Sequence, residues 1–399
     1  MGKLYVGVSG TARKVKKLYV GVNGVAHKVK NFYVGVNGIA RKIFGGGLEY
    51  YGMAENLTEK KKNLSATSVG TYALFSNGYL YSSYPTASVD AYNMSLTKST
   101  PEDSYVAWNN AATTIQNYAL FGGGQGSSSG GYQDKVIAYN ASLTKTSKSL
   151  ALSRAYLAAA ALGSYAYFGG GSISGRDYFN YVDAFNSSLT RSSPDGFTYG
   201  CSRLAASGLS GYAIFAGGLS GTGSTYRAET NAYNSTQTRY VPANLSAART
   251  NLSAANVGDY ILFGGGKNAN ALNNVDAYNR SLTKTTPTAL SAARFDMAAS
   301  SIGDFRNMSM YTKAAGSTTL SKYALFSGGR NSTSSNATFY NTVDAYDTSL
   351  TRRIDLTLSV ARHSLAATDI GNYALFAGGQ SVSTTSSPSD IVDIYEYEE

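Results

Sequence analysis

At 399 residues and 42.1 kDa the chain is long enough for one large domain or for two to three ordinary ones. Hydrophobic residues make up 43% and charged residues 15%, with 43 Gly and 33 Tyr but one Cys and two His, so an internal disulfide and any Cys/His zinc or multi-histidine metal centre are excluded. The net charge of +10 belongs to one end: residues 1–44 hold nine Lys/Arg and no acid, while the other 355 carry 25 basic against 24 acidic side chains.

The first 44 residues are three copies of a 14-residue unit, at 3–16, 17–30 and 31–44. No apolar core of a secretory signal precedes them, and nowhere does an apolar run of roughly 18 residues occur. Asn23-Gly24 and Asn37-Gly38, with Ser9-Gly10 in the same place, stand between alternating residues. This predicts two-residue type I′ hairpins, in which both central residues need positive φ. Pairing outward from Asn23-Gly24 sets Val22 against Val25, Val20 against His27 and Leu18 against Val29, giving one apolar face. Such short hairpins need that face covered. Residues 1–44 are therefore expected to be a basic β arm that docks onto sister chains or a larger particle.

From residue 45 onward a longer period takes over. Tyr-x-x-Phe-x-x-Gly recurs from Tyr72, Tyr118, Tyr165, Tyr212, Tyr260, Tyr323 and Tyr373, at intervals of 46 to 50 residues and one of 63. A small-residue strand precedes each copy, a version of Val-Asp-Ala-Tyr-Asn follows it after a variable loop, and in six units a Leu-Thr or Gln-Thr strand comes next. Four short antiparallel strands at this spacing predict a propeller blade. The seventh unit ends without its fourth strand, and Asn56-Leu57-Thr58 is the predicted replacement, closing the ring between the termini. Phe44-Gly45-Gly46-Gly47 reads as a glycine junction between arm and ring. The Phe-Gly-Gly doublet followed by Val-Asp-Ala-Tyr resembles the kelch family over residues 45–399, without that family's outer-strand tryptophan, since Trp108 stands alone. The expected fold is all-β: a seven-bladed kelch-like β-propeller closed by strand exchange between the termini, preceded by a three-hairpin arm.

In such a blade the 2–3 and 4–1 connections open on one face, and here the 2–3 loops are the long, variable ones. Rigid scaffolds with diversified loops commonly bind there. Tyr79, Tyr81, Tyr84, Tyr132, Tyr178, Tyr181, Tyr226 and Tyr340 all fall in these loops among Ser, Gly, Asn and Thr. Aromatic faces beside hydroxyl and amide groups suit a sugar. The plainer reading is that the loops are linkers and the tyrosines cover their own hairpins. Eleven residues before the aromatic Tyr stand Lys61, Arg154, Arg249 and Arg362, with Arg294 in the same place and Ala107 and Cys201 breaking the series. These cations are expected to ring the mouth of the central channel, where they would hold an anion. The competing reading pairs them with the recurring Asp90, Asp183, Asp276, Asp344 and Asp393.

No acid–base pair stands apart from the repeat, no Gly-Lys-Ser/Thr loop occurs, and the histidine–tyrosine–cysteine pattern of kelch-like copper oxidases is missing. The expectation is a chain without catalysis, metal or cofactor. Asn-x-Ser/Thr triplets at Asn93, Asn140, Asn186 and Asn279 read as turn asparagines. The 304–321 insertion in the sixth unit has no assigned role. The arm's Tyr-Val-Gly-Val-Asn-Gly units resemble repeats of tail-associated proteins of phages and prophages of Gram-positive bacteria. That resemblance implies a receptor-binding tail protein: residues 1–44 anchor to the tail, baseplate or sister subunits, and the propeller meets a host-surface glycan or protein receptor. It implies a virion location, with neither nucleic acid nor membrane insertion. The rivals are a bacterial surface or secreted lectin-like adhesin and, further off, a kelch-like enzyme.

Overall fold

The computed structural model describes residues 47–398 other than 81–83, 127–130, 175–176, 210, 222–224, 304–320 and 382–386, together with the backbone of six strands within 5–44. Seven four-stranded antiparallel sheets follow one another as blades 1 to 7, each in the strand order read from the repeat. Blade 3 is typical: Ala158–Leu162 lies innermost, then Tyr165–Gly169, Val182–Asn186 and the outer Arg191–Ser192. The inner strands are built of small residues because seven of them converge on one axis. In Ala158–Leu162 alternate residues are buried while Ala159 and Ala161 turn partly outward, and Ala159 to Ala161 line a channel cavity of about 220 Å³.

The third-strand aromatics fill the space between blades. Tyr92, Tyr139, Tyr233, Tyr278 and Tyr346 are fully buried, and each hydroxyl donates to a backbone carbonyl of the chain leading into its blade, such as Glu55 O from Tyr92 at 2.7 Å. The Asn that ends this strand builds the 3–4 turn. Asn140 Oδ1 accepts the N–H groups of Ser142 and Thr144, both at 2.9 Å, with Leu143 at φ 60° between them. Asn93, Asn186 and Asn279 repeat the arrangement, so the Asn-x-Ser/Thr triplets have a full local account.

Two closed belts of backbone hydrogen bonds join the blades. In the first, the glycine at the end of each second strand donates to a carbonyl of the next blade: Gly124 to Arg154, Gly171 to Cys201, and so on round to Gly379 and Lys61, at 2.8 to 3.0 Å. This approach explains the doublet. A Cβ on Gly123 would lie 2.6 Å from the Arg154 oxygen, and φ there is +71°. In blade 1 Asn77 occupies that place at φ 64°, its amide donating to Tyr105 O. The second belt runs nearer the axis. Asn63, Asn109, Tyr156, Arg203, Asn251, Asp296 and Ser364 each donate their N–H to the carbonyl of the preceding member, closing from Ser364 back to Asn63 at 2.7 to 3.3 Å.

The ring closes through the termini, by a segment other than the expected one. The outer strand of blade 7 is Gly47–Met53, paired antiparallel with Val392–Glu398, and Tyr50 Oη donates to Asp393 at 2.8 Å. Asn56-Leu57-Thr58 does something else. Leu57 is buried, and Thr58 gives its N–H to Asp90 at 2.9 Å. That is how Ala151 serves Asp183 and Ser246 serves Asp276, so 56–58 belongs to the segment entering a blade and only imitates the outer Ser-Leu-Thr strand. Gly47 begins the closing strand and is no mere junction; Gly45 and Gly46 lie outside the described residues.

In residues 5–44 the backbone forms three separate two-stranded sheets, and the middle one pairs Leu18 with Val29, Val20 with His27 and Val22 with Val25 as expected. The turns at Ser9-Gly10, Asn23-Gly24 and Asn37-Gly38, and residues 304–320 of the insertion, lie outside the described residues.

Candidate functional site

The repeated cations do not ring the channel mouth. Lys61, Arg154, Arg249, Arg294 and Arg362 are each 0% exposed and turn into their own blades. Each meets the recurring aspartate of the same blade: Lys61–Asp90 at 3.2 Å, Arg154–Asp183 at 2.7 Å, Arg249–Asp276 at 2.8 Å, Arg294–Asp344 at 2.5 Å and Arg362–Asp393 at 2.7 Å. The arginines also donate to second-strand carbonyls, as Arg154 does to Phe168 and Gly170. Burial lowers the proton affinity of all five from the ordinary value, and the facing carboxylate opposes it.

The two broken positions complete the account. Blade 2 has Ala107 and, in place of the aspartate, Ile137; blade 4 has Cys201 and Asn231. Cation and carboxylate are kept together or lost together, as expected if either alone would be an uncompensated buried charge. In blade 2 the Tyr105 hydroxyl donates instead to Gly123 O at 2.6 Å, the counterpart of the Gly170 carbonyl that Arg154 serves. Cys201 is buried and its thiol is pushed up to about 12, first by burial and then by Glu229. It is a core group.

What lines the mouth is the residue two places after each of these positions. On the loop-rich face a cavity of about 290 Å³ is bordered by all seven side chains of the axial belt. All seven take φ between 52° and 59°, so at the same point in each blade the chain turns left-handed and aims a side chain at the axis. Around them, the residue just before each belt member bridges to the residue just after the glycine doublet: Lys62 with Tyr79, Trp108 with Gln125, Thr250 with Lys267, Phe295 with Arg330. Each blade thus sets a triplet of residues in one rigid frame. The belt side chain borders the cavity in all seven, Lys62, Tyr79, Trp108 and Gln125 are part-exposed beside it in blades 1 and 2, and Ala155, Ser202, Thr250, Phe295 and His363 are buried beneath.

Those triplets differ from blade to blade. Tyr79 packs against Trp108 at 4.8 Å between ring centres, Trp108 meets Tyr156 edge-on at 6.4 Å, and the Arg203 guanidinium lies 4.5 Å from the Tyr156 ring. Further round, Arg330 pairs with Asp296 at 2.7 Å, and Lys267 and Arg330 both flank the Phe295 ring. His363 is 3% exposed, with Nδ1 2.8 Å from Ser364 Oγ and its ring against Phe339. Burial, then Arg330, lowers it to about 4, so it is neutral at neutral pH.

Of the loop tyrosines, Tyr79 belongs to this wall, and Tyr132 stands beside it, its hydroxyl accepting the Ser174 N–H at 2.8 Å. Tyr178 and Tyr226 lie on small hairpins of the 2–3 loops of blades 3 and 4. Tyr340 covers Arg294, 5.9 Å away, while Tyr84 and Tyr181 are exposed. Tyr81 falls outside the described residues. Trp108, Tyr156 and Arg203 were not singled out as site residues from the sequence. The available signal was variation: the positions flanking the recurring cation and glycines differ among the repeats, though Asn recurs at three belt positions, while the cation is kept in five blades.

No family model and no curated protein matches the sequence.

Proposed function

We propose that this chain is a non-catalytic attachment module whose propeller binds a surface saccharide at the loop-rich face, and that it serves as a receptor-binding protein of a phage or prophage tail. One observation supports the binding reading above the others. Seven blades share one frame down to their hydrogen bonds, yet the side chain each aims at the channel mouth changes around the ring (Asn63, Asn109, Tyr156, Arg203, Asn251, Asp296, Ser364), with Tyr79 and Trp108 part-exposed beside them, and the set is rich in aromatic, amide and hydroxyl groups. Aromatic faces stack on the apolar side of a sugar ring, and amides and hydroxyls bond its edge. The tail assignment is supported by the three arm repeats and their resemblance to tail-associated repeats, and the propeller's kelch-like pattern agrees with a scaffold for loops. In this reading the basic arm joins the particle or sister chains, and multivalent display offsets a weak single site.

The test is binding of the full chain to candidate host cells and to a saccharide array. Trp108→Ala and Tyr156→Ala are expected to weaken binding about thirtyfold or more, the loss typical of a central aromatic anchor of ~2 kcal/mol. Tyr132→Ala and Tyr178→Ala test the outer loops. Unchanged binding in all four correctly folded variants rejects the face as the binding site.

A further inference from the structure

The mouth carries more positive charge than its acid neutralises. Lys62, Arg203, Lys267 and Arg330 stand in the triplets of blades 1, 4, 5 and 6, and Asp296 is the one carboxylate among them. Asp296 is already committed, to Arg330 at 2.7 Å and to the Asn251 amide. Arg203 is exposed, borders the cavity and stacks on Tyr156, with no carboxylate partner among the described residues. Lys62 bonds the neutral Gln380 at 2.6 Å, and Lys267 flanks Phe295. Elsewhere the body is close to neutral, so this excess is local. Beside it runs the Tyr79–Trp108–Tyr156 wall, where the Trp108 Nε1–H has no acceptor among the described residues.

We infer that the mouth takes an acidic saccharide, with a sugar ring on the aromatic wall and its carboxylate or phosphate at Arg203. The inference rests on the binding reading above and narrows its ligand class. Arg is the fitting residue, because its planar fork engages either anion through two parallel hydrogen bonds. An open cavity of about 290 Å³ encircled by the backbone belt accepts one or two sugar units. It offers no groove along which a nucleic-acid backbone would track.

The experiment titrates the full chain with an oligogalacturonate, its neutral methyl ester, a phosphate-substituted oligosaccharide and a single-stranded oligothymidylate. At least one acidic saccharide is expected to bind, the carboxylate and phosphate arms identifying which anion is read. The methyl ester should bind at least about tenfold more weakly than the free oligogalacturonate where the latter is the ligand. Arg203→Gln should cost about tenfold and Arg203→Lys less, with added salt weakening the wild type. Lys267→Gln, one blade along, provides a second charge deletion should Arg203→Gln fold poorly. Equal binding of the ester where the oligogalacturonate binds, indifference to both charge deletions, tighter binding of the oligothymidylate, or no saccharide binding at all overturns the inference. Host-cell binding separates the two claims: loss with Trp108→Ala but not with Arg203→Gln leaves the attachment reading standing and removes the acidic ligand, whereas indifference to Arg203→Gln and to all four aromatic variants above removes the face altogether.

Discussion

Arg249 and Asp276 are both fully buried, 2.8 Å apart, with Arg249 also bonded to Phe263 O and Asp276 receiving the Ser246 N–H. Removing Arg249 leaves the buried Asp276 carboxylate with only the more distant Lys284, 3.8 Å away, as counter-charge. Arg249→Met is expected to destabilise by ~3–5 kcal/mol, and Arg249→Met with Asp276→Leu to recover much of that loss. Urea denaturation followed by circular dichroism checks it, and a double variant no more stable than the single one refutes the pairing argument. The period of these residues, and the aspartates as possible partners, were both legible in the sequence. Which way the guanidinium turns was not, because periodicity assigns a residue to a strand end without saying whether it faces the axis or the blade. The joint loss at Ala107/Ile137 and Cys201/Asn231 was the signal that decides it. The mouth residues were hidden for the opposite reason: a site made by variation has no motif.

The closing strand is the element on which the ring depends. Most blades end in a two-residue outer strand, such as Lys98–Ser99 or Lys284–Thr285, yet Gly47–Met53 runs along six residues of Val392–Glu398 and is reinforced by Tyr50 on Asp393 and by Arg353 on Leu48 O. Without it, Val392–Glu398 becomes an open edge able to pair with another chain. Deletion of residues 1–46 is expected to leave the melting temperature of the propeller within about 2 °C. Deletion of 1–53 should lower it by at least about 5 °C and bring on self-association. Differential scanning calorimetry and light scattering test the pair, and equal behaviour of the two truncations contradicts the assignment. That the amino-terminal side supplies a strand was readable from the seventh unit's missing fourth strand. The exact segment was not, since Leu57-Thr58 copies two letters of the outer strand while Thr58 caps Asp90.

Fourteen inter-blade backbone hydrogen bonds in two closed belts make the propeller different from an open repeat array. In an open array stability is close to a sum over units and their nearest neighbours, so the ends fray and local damage stays local. In a ring no unit is terminal, and a blade that unfolds breaks both of its interfaces and opens the belts for all seven. Damage in distant blades should therefore move one common transition. Arg154 lies in blade 3 and Arg362 in blade 7, each in its own buried pair and without a shared partner. Arg154→Met and Arg362→Met are expected to lower the same transition. Their double variant should shift it by the sum of the two within ~0.5 kcal/mol, as for independent sites. Backbone circular dichroism and Trp108 fluorescence should report coincident midpoints, although Trp108 sits in blade 2, which neither substitution touches. If fluorescence kept its wild-type midpoint while circular dichroism fell in two steps, the blades would be separate folding units, and the rigidity that lets the seven belt side chains act as one surface would have no basis.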